Sequence, residues 1–213
     1  AGRLARAAVA RDPRDAHAWR ILATSAYVAG DDDEALRAWN AAGEPAIDLV
    51  EIQGLDRTRH SVAAALVGLS PGDVLRRRDL AASAHRLREL PSAETARVGY
   101  RPLGGGLANV EAVVLERSKL PTSPAAVAAG LVRLATEREV AASAASLTGG
   151  GERLDVAWRW WARRPRVEGA FLTPTRAGIW AVRAFGEEQT YGGSAEPDVE
   201  ARRGGSLALS NWT

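Results

Sequence analysis

The chain contains neither cysteine nor methionine, and Lys119 is the only lysine among its basic residues. The absence of cysteine excludes disulfide bonds, thiolate metal sites and a cysteine nucleophile. Histidine is scarce as well. His17, His60 and His85 lie on separate predicted elements without an acidic partner at ligand spacing, so we expect no metal site.

Long apolar runs are also missing, because no stretch of 18 apolar residues occurs. No segment is therefore predicted to cross a membrane as a helix. The net charge is only +2, from 28 basic and 26 acidic residues, which gives no reason to expect nucleic acid as a partner. The 213 residues suffice for one large domain or two to three small ones. Because the chain begins in mid-helix, we expect further protein upstream.

Motifs that carry catalysis or bind cofactors are absent from the sequence. The two triple-glycine runs, 104–106 and 149–151, are typical of hairpin turns, since neither has the spacing of a phosphate-binding loop. The acidic run 31–34 lacks the alternating ligands of a calcium loop and is expected to cap a helix. We therefore expect that the chain is not an enzyme and that it has no catalytic residue, no cofactor and no small-molecule substrate.

Residues 1–46 have the period of helices, with Gly30 separating two amphipathic stretches. This segment resembles one tetratricopeptide repeat, in which small residues let two helices approach and aromatic residues fill the gap between them. Any other helical hairpin is the alternative. The residues that carry the resemblance are Trp19, Leu22, Ala23 and Tyr27 in the first helix and Ala35 and Trp39 in the second.

The period of the apolar residues changes in the segment 47–120. The pattern there predicts the order β-α-α-β-β, an α+β arrangement. The predicted strands are 47–55, 94–103 and 107–118, and the predicted helices are 57–69 and 76–90. The first strand alternates imperfectly, which indicates a bulge near Leu49 and Val50. The glycines at 104–106 join the last two strands in a hairpin.

This order, together with the phrases IQGL, LSPGDVL, RLREL and ANVEAVVLERSKLP, resembles the POTRA domain of outer-membrane barrel assembly and secretion proteins. The resemblance implies that an exposed strand edge binds extended polypeptide, since unpaired backbone groups accept an added strand. A generic α/β domain whose edge binds nothing is the alternative. The implied partner-binding residues are Ala96, Arg97, Val98, Gly99, Tyr100 and Arg101.

After a linker at 121–137, residues 138–213 form alternating segments separated by turn residues. If 154–162 is a strand, aromatic and aliphatic side chains share one face, while Asp155 and Arg159 share the other. Trp161, Ile179 and Phe185 break this alternation. The predicted lipid-facing residues are Leu154, Val156, Trp158, Trp160, Trp180 and Val182.

Such strands suit a membrane, where tryptophan rings lie at the lipid–water boundary, but a soluble antiparallel sheet with one buried face has a similar pattern. The order of the regions favours the membrane. In the protein family characterised by POTRA domains, a barrel follows the last POTRA domain. We therefore expect a multidomain chain: a tetratricopeptide-like hairpin, a POTRA domain, and the first strands of an incomplete outer-membrane β-barrel. The family's barrels have more strands than the four or five found here.

The resemblance implies a protein of the Gram-negative outer membrane, with its N-terminal part in the periplasm. Its expected function is outer-membrane protein assembly or polypeptide secretion. The expected partners are client polypeptides, other assembly proteins and outer-membrane lipid. The alternatives are a soluble periplasmic scaffold whose last sheet packs on a partner, and an enzyme whose catalytic domain lies elsewhere.

Overall fold

The computed structural model describes residues 1–118, 124–192 and 198–212. Within these ranges, no helix has both the length and the apolar character needed to cross a membrane. The chain divides into two compact units. The first comprises Ala1–Gly54, Ala64–Leu87 and Ala96–Val114, and the second comprises Leu55–Ala63, Arg88–Thr95 and Leu115–Thr213.

Three helices open the first unit: α1 (Gly2–Arg11), α2 (Ala16–Val28) and α3 (Asp32–Ala41). Aspartates begin the second and third. The carboxylate of Asp15 accepts the backbone N–H groups of His17 and Ala18, and that of Asp31 accepts the N–H of Glu34. These bonds satisfy N–H groups that have no partner inside the helix. The predicted capping role of the acidic run is confirmed.

Small residues hold α2 and α3 together. Ala23 and Ala35 are completely buried, which allows the helix backbones to approach. The rings of Tyr27 and Trp39 lie 5.9 Å apart between the helices. The predicted helical hairpin is present, with Ala23 and Ala35 buried and the rings of Tyr27 and Trp39 in contact.

The next elements are β1 (Ala46–Gln53), α4 (His60–Val67), α5 (Arg77–Arg88), β2 (Ala93–Pro102) and β3 (Leu107–Glu116). The order β-α-α-β-β is as predicted. The strands form a sheet in the order β1-β3-β2, with β1 parallel to β3. The register shifts between Ile47 and Leu49, which places the bulge beside its predicted position.

Gly54 explains part of the phrase IQGL. Its φ is +82°, and a Cβ atom built there would lie 2.1 Å from the carbonyl oxygen of Val114. Only glycine fits, because any side chain would collide with the neighbouring backbone.

The helical hairpin and the three-stranded sheet share one core in the first unit. Leu36 of α3 is buried with Ile47, Leu75, Ala108 and Val110. The side-chain amide of Asn40 donates to the carbonyl oxygens of Glu44 and Leu75, at 2.8 Å each. The hairpin is therefore packed against the sheet that follows it in sequence.

The second unit contains α6 (Pro124–Glu137) and a five-stranded antiparallel sheet in the order β4-β5-β6-β7-β8. Residues 124–137, predicted to be part of the linker at 121–137, thus form a helix, while residues 121–123 lie outside the described ranges. The predicted boundaries at residues 46, 120 and 137 stay predictions, and the compact units divide the chain elsewhere. The strands are β4 (Glu139–Ala145), β5 (Arg153–Arg159), β6 (Arg166–Thr175), β7 (Gly178–Tyr191) and β8 (Asp198–Asn211).

Candidate membrane-facing sheet and open strand edge

The register of the five-stranded sheet collects apolar side chains on one face. Directly paired residues of an antiparallel ladder lie on the same face. Val140 pairs with Trp158, and Trp158 pairs with Val167. A second row runs through Leu154, Phe171, Val182 and Leu207. A sheet face lined by such rows is continuous from β4 to β8.

The six residues predicted to face lipid all belong to this apolar face. Trp160 follows the end of β5, and its N–H donates to the carbonyl oxygen of Arg138, which extends the ladder by one bond. Its ring lies 5.3 Å from that of Trp158. Trp158 is 51% exposed and Val182 is 46% exposed. A water-soluble sheet would bury side chains of this size against another layer.

The opposite face carries ion pairs. Arg159 donates two hydrogen bonds to Glu139 across the β4–β5 ladder, at 3.0 and 3.1 Å. Arg166 contacts Glu168 at 2.7 Å and Glu187 at 3.3 Å. This face is suited to water, so the two sides of the sheet require different surroundings.

The structure accounts for two of the three residues that break the alternation. The guanidinium of Arg166 lies 5.0 Å from the ring centre of Phe185, a cation–π contact on the charged face. Ile179 is 7% exposed and so is not presented to water. Trp161 lies beyond the end of β5 and is 48% exposed.

The turn between β4 and β5 is fixed by buried hydroxyl groups of the second unit. Thr58 lies between Ser92 and Ser146, with oxygen–oxygen distances of 3.0 and 2.9 Å. All three residues are buried. The N–H of Ser92 also donates to the carbonyl oxygen of Gly151 at 3.2 Å. Periodicity does not reveal such a cluster, because its members are far apart in the sequence.

A carboxylate supports the same loop. Glu116 accepts the backbone N–H groups of Arg57 at 2.9 Å and Thr58 at 2.8 Å. Burial alone raises the pKa of Glu116, but the hydrogen bonds from Thr58 and Arg57 and the charge of Arg57 outweigh it. The pKa of Glu116 therefore lies below its ordinary value, which means that the folded state favours the charged carboxylate.

The predicted partner-binding segment lies on β2, which is an edge strand of the three-stranded sheet. No other strand pairs with the outer side of β2 within the described ranges. Ala96 is buried, and Val98 and Tyr100 pack against the core. Arg97, Gly99 and Arg101 are exposed. The edge thus presents backbone groups and the side chains of Arg97 and Arg101.

Tyr100 has a structural role that its place in the sequence did not indicate. Its hydroxyl donates to the carbonyl oxygen of Asp32 at 2.8 Å, and its ring lies 6.1 Å from Tyr27 and 6.3 Å from Trp39. Burial, followed by the charge of Asp32, raises the pKa of Tyr100 well above its ordinary value. The helical hairpin is therefore attached to the edge strand itself.

No group of histidine, cysteine, aspartate or glutamate side chains suited to a metal ion occurs among residues 1–118, 124–192 and 198–212. The two candidate sites described above consist of an apolar sheet face and of unpaired backbone groups on an edge strand.

No protein-family model matches the sequence. No curated protein matches it either. Solved structures are similar: BamA from Haemophilus ducreyi lacking POTRA domains 1–3 has a TM-score of 0.48 at 12% identity, over 76% of this chain and 32% of that one. CdiB from Acinetobacter baumannii gives 0.46 at 6% identity, over 77% and 33%, and CdiB from Escherichia coli gives 0.46 at 12%, over 72% and 30%. The chain spans about a third of the length of these structures.

Proposed function

We propose that this chain belongs to an outer-membrane protein that assembles or secretes other polypeptides, and that the apolar face of its five-stranded sheet contacts lipid. The observation that carries the proposal is the pair of opposite faces. One face leaves tryptophan, valine and leucine side chains exposed, while the other is lined with arginine–carboxylate pairs. A membrane β-barrel has this division between lipid and a wet interior.

Three of the five strands are long enough for this assignment, while β4 and β5 have seven residues each. A transmembrane strand needs about 9–11 residues, and β7 and β8 have 14 each, while β6 has 10. The outer edges of β4 and β8 are unpaired in this sheet. Unpaired backbone groups cost several kcal/mol each in hydrocarbon, so further strands are required to close the sheet in a bilayer.

The proposed role of the first unit is recognition. Its three-stranded sheet would act as a POTRA domain in the periplasm and take up client polypeptide by strand addition on β2. Support comes from the open side of β2 and from the exposed side chains of Arg97 and Arg101. The tetratricopeptide-like hairpin would hold a partner protein or a second stretch of the client. No step in this proposal makes or breaks a covalent bond.

Two neighbouring residues of β5 test the lipid assignment. Val156 belongs to the apolar face and Ala157 to the charged face, where Ala157 pairs with Glu168. In a protein that carries this chain together with the strands that close its sheet, we expect Val156→Arg to lower insertion into lipid vesicles strongly, because an arginine facing the bilayer centre costs about 2–4 kcal/mol. Ala157→Arg is the matched control and should insert like the original chain, since its new charge lies beside Glu168.

Insertion is measured by protease protection and by heat-dependent mobility on gels. Equal insertion of the two variants would remove the basis of the proposal. A protein that stays monomeric in buffer without detergent would also contradict it and would favour the alternative, a soluble scaffold whose apolar face packs on a partner protein.

A further inference from the structure

The charged face of the sheet contains a cavity of about 550 Å³. Small side chains from four strands lie at its base, and arginines from α6, β5, β6 and β7 line it. Because the small side chains leave the sheet backbone uncovered, an extended chain can approach it closely. The small residues are Ala141, Ser143, Ala157, Ala170 and Ser206, and the arginines are Arg133, Arg153, Arg166 and Arg183.

The four arginines differ in their partners. Arg153 contacts Asp155 at 2.9 Å, and Arg166 contacts Glu168 and Glu187. Glu139, the other carboxylate at the cavity, is bound by Arg159. Within the part of the chain that the structure describes, Arg133 and Arg183 have no carboxylate partner. The cavity therefore holds two guanidinium groups that are available to an anion.

The path of the chain explains how Arg133 reaches this face. The N–H of Arg117 bonds to Ser92, and Ser92 bonds to Gly151, at one end of β5. Arg138 lies at the other end, where it accepts the N–H of Trp160. The seven residues of β5 between these two ends span about 24 Å. The fourteen residues of α6 cover about 21 Å and bring Arg133 alongside the sheet.

An aromatic wall at the cavity is held in place from two sides. Arg166 lies 5.0 Å from the ring centre of Phe185. On the neighbouring strand, a Cβ atom built on Gly204 would lie 2.6 Å from Cε1 of the same ring. The ring thus packs where glycine leaves room for it. Phe185 offers apolar surface in the same cavity as Arg133 and Arg183, a combination that suits a peptide side chain better than a simple anion.

We propose that this cavity binds an acidic segment of a client polypeptide in an extended conformation. Guanidinium groups bind carboxylates through paired hydrogen bonds, and Arg133 and Arg183 provide two such groups. The base of small residues accommodates the peptide backbone, and Phe185 accommodates an intervening apolar side chain. The inference rests on the proposed function for the source of the peptide, while the cavity lies on the face opposite the lipid-contacting one.

A fluorescent octaglutamate peptide tests the inference, with octaglutamine for comparison. We expect the purified protein in detergent to bind octaglutamate more tightly, with an affinity that falls as salt rises. Arg133→Gln and Arg183→Gln should each weaken binding by about 1.5- to fivefold, the range of a single exposed charge pair. Arg176→Gln is the matched control, because Arg176 lies in the β6–β7 turn away from the cavity.

Three outcomes would overturn the inference. Equal binding of the two peptides would show that acidic side chains are not recognised. An equal loss in Arg176→Gln would show that only net charge matters. Equal competition by free glutamate, inorganic phosphate or anionic lipid vesicles would exclude a polypeptide site. Insertion of the same samples into vesicles is measured separately, so a failure of the lipid assignment is distinguished from a failure of peptide binding.

Discussion

The hydroxyl of Thr58 donates a hydrogen bond of 2.9 Å to the hydroxyl of Ser146, although the two residues are 88 positions apart in the sequence. Thr58 in turn accepts from Ser92, so one buried threonine joins three segments of the second unit. The turn between β4 and β5 is therefore held by the loops that precede α4 and β2. This arrangement fixes one end of the sheet whose faces define the proposed function.

Removing the Thr58 hydroxyl should destabilise the second unit. Thr58→Val keeps the shape of the side chain but leaves Ser92 and Ser146 without their shared partner. Buried polar groups that lose a partner cost about 1–3 kcal/mol. Urea unfolding in detergent measures the change. Thr24→Val is the control, since that exposed hydroxyl bonds only to Arg20 within its own helix, and a loss as large in the control would contradict the prediction.

The glycine at the end of this turn should be essential for stability. Gly151 has φ +75°, and a Cβ atom built there would lie 2.6 Å from Cδ1 of Leu90. We expect Gly151→Ala to cost about 2 kcal/mol or more, because strained backbone and close contact add together. Gly99→Ala is the comparison, since nothing lies within 4 Å of its added Cβ. Similar melting temperatures for the two variants would show that the turn is not held as described.

Glu116 should make the stability of the fold depend on pH in the acid range. Its pKa is lowered in the folded state, so its charge stabilises the fold above the unfolded value of about 4.3. That contribution is lost as the pH falls through the folded-state value. Glu116→Gln should therefore lower the melting temperature at pH 6 and flatten its fall between pH 5 and 3. Glu94→Gln, an exposed carboxylate on β2, should leave the curve unchanged, and parallel curves for Glu116→Gln would refute the assignment.

The sequence predicted what depends on local period and missed what depends on contacts between distant segments. Alternation along the segment placed Leu154, Val156 and Trp158 on one face, and the strand register agrees. The helix α6 was missed, since its composition of alanine, glycine and proline resembles a connector and it lacks an acidic first turn. The attachment of Tyr100 to the helical hairpin was also missed, because alternation along β2 does not reveal what covers the strand.

Proline substitution in β2 tests the recognition edge. Successive N–H groups of a strand point to opposite sides. Of the two variants Val98→Pro and Gly99→Pro, one therefore removes a hydrogen bond to β3. The other removes an N–H donor on the open side of β2. We expect the second kind of variant to stay folded, because edge strands tolerate a proline whose missing N–H faced solvent. It should also lose most of its crosslinking to an unfolded outer-membrane precursor through a photoreactive residue at Arg97. Circular dichroism identifies the folded variant. If that variant captures the precursor as well as the original chain does, strand addition on β2 is wrong, and the client must bind elsewhere, such as on the helical hairpin that Tyr100 holds against this strand.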